Sequence, residues 1–284
     1  MTFTVPSARR RPGALAIVVA ALVLAALPAL LAPARAGAAP RIPDPAYLLV
    51  QPSTGDTVVA RNPSQRRPIA STTKMMTALV TVDHASLKKV FTVAPYAATP
   101  GESLAGLTAG QRMRVSDLLR ALLLPSGNDA ANTLALRVGG GSKARFVRMM
   151  NQRARRLGLK HTHFANPVGL DSSANYSSPR DLVRIAQALL SVPFLRDTVN
   201  MPKAVLHTGP VGRVVVNHNT LVRSVRWVNG VKTGHTNTAG YLLVASGYRR
   251  GVPVISVVMH APTEYARDAD SLRLLRYGLS RYHT

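Results

Sequence analysis

The sequence predicts an α+β protein: an antiparallel sheet with flanking helices, interrupted by an inserted all-helical subdomain. Three observations predict it. Two strand-like segments open the folded region, helical periodicity fills the middle, and the apolar period changes to two after Pro202 before one closing helix.

Ahead of these elements, Arg9, Arg10 and Arg11 precede an apolar run from Ala14 to Leu31, followed by Ala34-Arg35-Ala36 and Ala36-Gly37-Ala38. That order of basic, apolar and small residues predicts a signal segment over residues 1–36, cut after Ala36 or Ala38. If it is not cut, the same run is an N-terminal membrane anchor. Either way the rest of the chain, 41–284, is expected outside the cytoplasm, in the cell wall or secreted, as one catalytic domain with a helical insert over about 72–200.

Tyr47 to Asn62 reads as a hairpin: Tyr-Leu-Leu-Val-Gln, a Ser-Thr-Gly-Asp turn, then Thr-Val-Val-Ala. Ser71 sits just before the apolar run Met75 to Val80 and so falls in the first turn of a helix. Ser116-Asp117 opens a second helix through Leu124, where Pro125 stops it; Asn128 to Val138 and Lys143 to Leu157 are two more. Ser178-Pro179-Arg180-Asp181 caps a helix running to Leu190. Val211 to Asn217, Gly230 to His235, Gly240 to Tyr248 and Val252 to His260 read as strands, the last two joined across Arg249-Arg250-Gly251. The final helix spans about Ala266 to Tyr282. A helical block set between two halves of a sheet leaves a groove at their junction, a common place for an active site.

Composition excludes several chemistries. With no cysteine there is no disulfide, thiol nucleophile, cysteine-ligated zinc or lipid-modified N-terminal cysteine. The net charge of +24, from 36 Lys and Arg against 12 Asp and Glu, suggests a polyanionic partner. Nucleic acid fits poorly, because the arginines are scattered, no aromatic stacking platform accompanies them and the leader points to export. Electrostatic association with an anionic cell envelope fits better; an arginine-rich solvated surface is the plain alternative.

Three short groups carry the chemistry. In Ser71-Thr72-Thr73-Lys74 the hydroxyl and amine, three residues apart on a helix, share a face, so a neutral lysine could take the serine's proton. Alone the pattern is weak, and an N-cap serine with a solvated lysine is the plainer reading. Ser126-Gly127-Asn128 lies between two helices, where an ordinary N-cap also fits. Lys232-Thr233-Gly234-His235 lies on a late strand, where a lysine is usually a solvated edge residue. Their order and spacing together are what a serine acyl-transfer site of the penicillin-recognising type carries.

On these residues the chain resembles the low-molecular-weight penicillin-binding proteins, serine-type D-alanyl-D-alanine carboxypeptidases of the peptidase S11 kind. The likeness runs from about Tyr47 to Tyr282 and includes Ala70 to Ala78, Ser126 to Ala131, Met150-Asn151, Leu157-Gly158, Thr162 to Asp171 and Lys232 to Thr236. It departs at Val168, where a polar residue is common, at Asn229, where aspartate tends to precede the glycine, and at Gln51, which replaces an acid. The chain also stops after its last helix, where several relatives add a β-domain and an amphipathic anchor, so C-terminal membrane attachment is not expected.

The resemblance implies the penicillin-binding, β-lactamase-like transpeptidase fold, with no cofactor and no metal. It implies a peptidoglycan stem peptide ending in D-Ala-D-Ala as substrate and acylation by β-lactam antibiotics. Ser71 is then the nucleophile, Lys74 its base and Ser126 the proton relay to the leaving D-alanine. Asn128 orients Lys74 and the substrate amide, Lys232 and Thr233 hold the terminal carboxylate, and the backbone N–H groups of Ser71 and His235 meet the oxyanion, with Gly234 on the strand between. Arg267 reads as a solvated helix arginine, with a carboxylate anchor as its alternative role. A D,D-endopeptidase would share all of this. A β-lactamase would need a deacylating acid in the loop from His161 to Tyr176, whose one acid, Asp171, reads as a turn residue; the two glutamates, Glu102 and Glu264, lie elsewhere. The reading from another class is an inactive wall-peptide-binding protein.

Overall fold

The computed structural model describes residues 1–4, 38–208 and 212–282. Residues Met1–Ala38 and Ala39–Thr284 form separate units. Apart from residues 1–4, the expected leader lies outside the described residues. Among the described residues, no helix is long and apolar enough to cross a membrane.

The second unit is built on a five-stranded antiparallel sheet of β1 (Ala46–Gln51), β2 (Asp56–Arg61), β9 (Val228–Thr236), β10 (Gly240–Arg249) and β11 (Val252–Ala261), in the order β2-β1-β11-β10-β9. Chain ends and beginnings meet in its centre, where Leu48 pairs with Val257 and Leu49 with Ser256. Alternation then decides what each face buries. Leu48, Val244 and Val257 point into the larger core shared with the inserted helices. Leu49, Leu243, Val254 and Val258 point the other way, onto Leu274, Leu275 and Leu279 of the closing helix α8 (Glu264–Arg281). Gly278 lets α8 lie close, since a Cβ there would stand 3.0 Å from Val254 Cγ1.

Between β2 and β9 run α1 (Lys74–His84), α2 (Val115–Leu123), α3 (Asn128–Val138), α4 (Lys143–Arg156), α5 (Pro179–Leu190), α6 (Pro193–Val199) and α7 (Thr220–Ser224). The caps behave as their sequences suggest: Ser142 Oγ accepts from Arg145 N, and Ser178 Oγ accepts from Asp181 N ahead of Pro179. α1 is the central rod of this block. Its residues from Lys74 to Thr81 are all buried; the apolar ones fill the core, and Thr77 and Thr81 donate to Pro167 O and Thr77 O. Three two-stranded pieces stand outside the sheet: β3 (Arg67–Pro68) with β6 (Tyr176–Ser177), β4 (Val90–Thr92) with β5 (Arg112–Arg114), and β7 (Lys203–Leu206) with β8 (Arg213–Val216); of these only β8 was expected, as Val211 to Asn217. Each of the others has two to four residues, too few for a period to show.

Candidate active site

Ser71 does not lie in the α-helix itself. It sits in a 3₁₀ turn, Ala70–Thr73, that leads into α1, with Thr72 N donating to Ile69 O at 3.1 Å. Ala70 has φ +44°, a left-handed conformation that a residue with a Cβ adopts at a cost of about 1 kcal/mol or more. One helical turn on, Lys74 is fully buried, with its Nζ 2.8 Å from Ser71 Oγ and donating to Val168 O at 2.5 Å. Burial first, and then the nearby Lys232 ammonium, hold the Lys74 amine well below the usual lysine range, against the opposing pull of Glu102 and Asp129.

The Val168 carbonyl is delivered by a loop with its own internal scaffold. Asn166 Oδ1 accepts from Val168 N, Gly169 N and Leu170 N, and Thr77 Oγ1 donates to Pro167 O at 2.7 Å. Gly169, at φ +94°, passes so near the 3₁₀ turn that a Cβ would lie 2.0 Å from Ala70 O. Since Val168 acts through its backbone, the departure from a polar side chain there leaves this contact intact. Asp171 does more than turn the chain: its Oδ1 accepts from Thr236 Oγ1 at 2.7 Å, tying the loop to β9.

Ser126 is not an N-cap. Gly127 holds that place, and Ser126 has φ +63° with a buried Oγ that meets no hydrogen-bond partner among the described residues. Asn128 begins α3; its Nδ2 donates to Glu102 Oε2 at 2.7 Å, while its Oδ1 is likewise buried without a partner. The loop carrying Glu102 is pinned separately, by Ala105 N and Leu107 N donating to Asp129 and by Asn128 N donating to Ser103 O at 2.8 Å.

β9 is an edge strand of the sheet, so one side of its backbone is left unpaired beside Ser71. Gly234 lies against the 3₁₀ turn, a Cβ there falling 3.3 Å from Ser71 N, and His235 stacks on Tyr241 with ring centroids 4.0 Å apart. Lys232 is no solvated edge residue. It is buried, its Nζ donates to Thr233 O at 3.1 Å, and burial followed by the Arg267 charge pushes it down to about 7.

A cavity of about 520 Å³ is lined by Ser71, Ser126, Thr233, Gly234, His235 and Arg267. A second, of about 430 Å³, takes in Ser71, Glu102, Asn128, Val168 and His235. Ser71 and His235 belong to both, so the serine stands where the two meet. Lys74 and Lys232 lie behind this surface.

Arg267 is not solvated either: it is 3% exposed and paired with Glu264 at 2.9 Å and Asp268 at 2.7 Å, its guanidinium forming part of the first cavity's wall. Glu102, Glu264 and His218 carry no sequence signal for this site, yet all three line it. Loop position is set by tertiary contacts, and none of the three falls in a short motif. Of the other departures, Gln51 Oε1 caps the β1–β2 turn by accepting from Thr54 N at 2.9 Å, and Asn229 Oδ1 accepts from Ser246 Oγ at 2.6 Å. Neither reaches the serine.

The sequence profile of the peptidase S11 family, described as D-alanyl-D-alanine carboxypeptidase, matches residues 34–263. The chain is 33% identical over 243 residues to the D-alanyl-D-alanine carboxypeptidase DacF of Bacillus subtilis, covering 84% of this chain but 62% of that one. With the D-alanyl-D-alanine carboxypeptidase of Streptomyces sp. strain K15 it shares 34% over 289 residues, 96% of this chain and 99% of that one. The crystal structure of the Streptomyces K15 DD-transpeptidase superposes with a TM-score of 0.81 at 34% identity, over 86% of this chain and all of that one.

Proposed function

The chain belongs to the peptidase S11 family of D-alanyl-D-alanine carboxypeptidases, and on that premise we propose that it removes the terminal D-alanine from peptidoglycan stem peptides through an acyl-enzyme on Ser71. One observation carries the proposal: a buried Lys74 amine, depressed by burial and by Lys232, 2.8 Å from the serine hydroxyl. A neutral amine has one lone pair. With one N–H given to Val168 O, rotation about Cε–Nζ lets either the second N–H or the lone pair meet Ser71 Oγ at 2.8 Å, and the lone pair there is what a general base requires.

The substrate would lie along the free edge of β9 as an added strand. Thr233 and Arg267 form the wall that meets its terminal carboxylate, with Lys232 behind them. Ser71 Oγ attacks the carbonyl of the penultimate D-alanine as Lys74 takes its proton. The N–H groups of Ser71 and His235 stabilise the oxyanion, each such donor lowering the barrier by about 3 kcal/mol. Ser126 passes the proton to the departing amine, the C–N bond breaks, and water then hydrolyses the ester. A β-lactam is attacked in the same way, except that its amine stays tethered to the acyl group.

A second reading is favoured by the transpeptidase description of the superposed K15 structure: the same acyl-enzyme taken by an amine instead of water. A β-lactamase is disfavoured, because Glu102, the glutamate beside Asn128, already accepts from Tyr96, Thr99 and Asn128 and has no free lone pair for a water. The site is proposed to work outside the cytoplasmic membrane after loss of residues 1–36 or 1–38, with the +24 charge favouring an anionic envelope.

Ser71→Ala tests the core of this. It is expected to fold, to lose covalent labelling by a fluorescent penicillin and to release no D-alanine from purified stem pentapeptide. Release persisting in a clean preparation of the variant would remove Ser71 from its role.

A further inference from the structure

We infer that Glu102 is a positioning residue that fixes the Asn128 side chain in its working orientation. The inference rests on the acyl-enzyme reading above, but it assigns a role to a residue outside the three motifs.

A carboxylate has about four acceptor positions and no donor. In Glu102 all four are taken: Oε1 accepts from Thr99 N at 3.1 Å and Thr99 Oγ1 at 2.7 Å, and Oε2 accepts from the Tyr96 hydroxyl and from Asn128 Nδ2 at 2.7 Å. Glu102 is therefore saturated from within the protein and does not serve as a receptor for a substrate cation. Desolvation pushes its carboxyl up, but the hydrogen bonds from Tyr96, Asn128 and Thr99 outweigh that and hold it at about 2. It stays an acceptor across the whole working range of pH.

The consequence falls on Asn128. The two ends of an asparagine amide are alike in shape and differ only in donating or accepting, so an acceptor-only neighbour dictates which end faces it. The NH₂ group must turn to Glu102. The oxygen is then left on the other side, buried and with no donor among the described residues. Asn128 and Ser71 line the same cavity. An oxygen held there, covered from solvent, is placed to accept from Lys74 once it has taken the serine's proton. A glutamine at 102 could present either end, and Asn128 could then flip.

The loop itself does not depend on Glu102 for its place, since Asp129 and the Asn128 N–H hold it independently at Ser103, Ala105 and Leu107. A purely structural role and a positioning role thus predict different results.

The test is the second-order rate of acylation by benzylpenicillin in Glu102→Gln, Asn128→Ala and the double variant, with folding followed by circular dichroism. Misplacing a group beside the reacting atoms typically costs up to about 100-fold, so Glu102→Gln is expected to slow acylation by about 10- to 100-fold, and the double variant to match Asn128→Ala within about twofold. Glu102→Asp keeps an acceptor-only group and is expected to recover part of the rate. The inference is overturned if Glu102→Gln acylates like the wild type, if its loss persists undiminished in the Asn128→Ala background, or if it does not fold. Failure of the wild type itself to be acylated would instead strike the reading of the site as a whole.

Discussion

Lys74 and Lys232 are both buried, yet only one of them touches a reacting atom. The family resemblance implies that Lys232 and Thr233 hold the substrate carboxylate; Lys232 Nζ donates to Thr233 O, and the Arg267 guanidinium lines the cavity wall with Thr233. We propose that Lys232 acts mainly through its charge, which adds to burial in lowering the Lys74 pKa. Lys74→Met is expected to abolish acylation, while Lys232→Met raises the Lys74 pKa and so moves the acid limb of the acylation pH profile to higher pH. Its loss at neutral pH should be similar for a penicillin and for its carboxylate ester. Arg267→Ala should instead spare the ester, with a penalty for the free acid of about 2 to 4 kcal/mol, as for truncating one half of a buried charge pair. Acylation rates of both ligands against pH check this, and an ester-sparing Lys232→Met would return the carboxylate to Lys232. Spacing alone made Ser71 and Lys74 legible, because a helix fixes what stands three residues on. It was silent on the Val168 carbonyl, which every residue has; Arg267 was named only as an alternative anchor, because a lone arginine at the start of a helix gives no sign that it is buried.

The long elements were legible and the joints between them were not. Sequence pattern located α3, α4, α5 and the three long strands within a few residues: α4 and α5 each bury one face over several turns, while α3 and the strands, buried nearly all round, stand out as apolar runs bounded by turn residues. The 3₁₀ start of α1, the short strand pairs and α6 depend on contacts from elsewhere in the chain. The loop from Asn166 to Asp171 shows how much such a joint decides. Its shape comes from one Asn side chain accepting three backbone N–H groups and one glycine passing over the nucleophile turn. Gly169→Ala adds a Cβ 2.0 Å from Ala70 O at a left-handed φ, so either the loop or the turn must move. Both touch Lys74 Nζ, one through Val168 O and the other through Ser71 Oγ, and so both enter the proposed acylation geometry. The variant is expected to stay folded on its untouched cores but to be acylated at least about tenfold more slowly, since small displacements beside the reacting atoms are costly. Wild-type acylation in Gly169→Ala would show that the loop tolerates a shift and that Val168 O is dispensable.

At the scale of the molecule, the change of period after Pro202 and the early hairpin sufficed to predict a sheet made from both ends of the chain, and the groove beside its edge followed. What composition hid is that this strongly basic protein buries two carboxyls against each other. Asp44, just before β1, is 2% exposed with neither oxygen meeting a donor among the described residues, and Asp270 of α8 lies beside it. Burial first, and then the Asp270 charge, raises Asp44 from an ordinary carboxyl to about 7. A folded-state pKa above the unfolded value means that the native state holds this proton longer. The contribution to stability is therefore full below about pH 4 and is lost as pH rises towards 7, a change of roughly 2 to 4 kcal/mol. His218 and Lys232, both lowered in the fold, act with the opposite sign, so the wild-type curve alone does not isolate the effect. Asp44→Asn removes the titration and offers Asp270 an N–H. Urea unfolding at pH 5 and pH 8 should then show the variant gaining on the wild type as pH rises, by an amount of that order. A difference that stays constant between the two pH values would mean that Asp44 is ionised in the fold at both, and that the pairing with Asp270 is relieved in some other way.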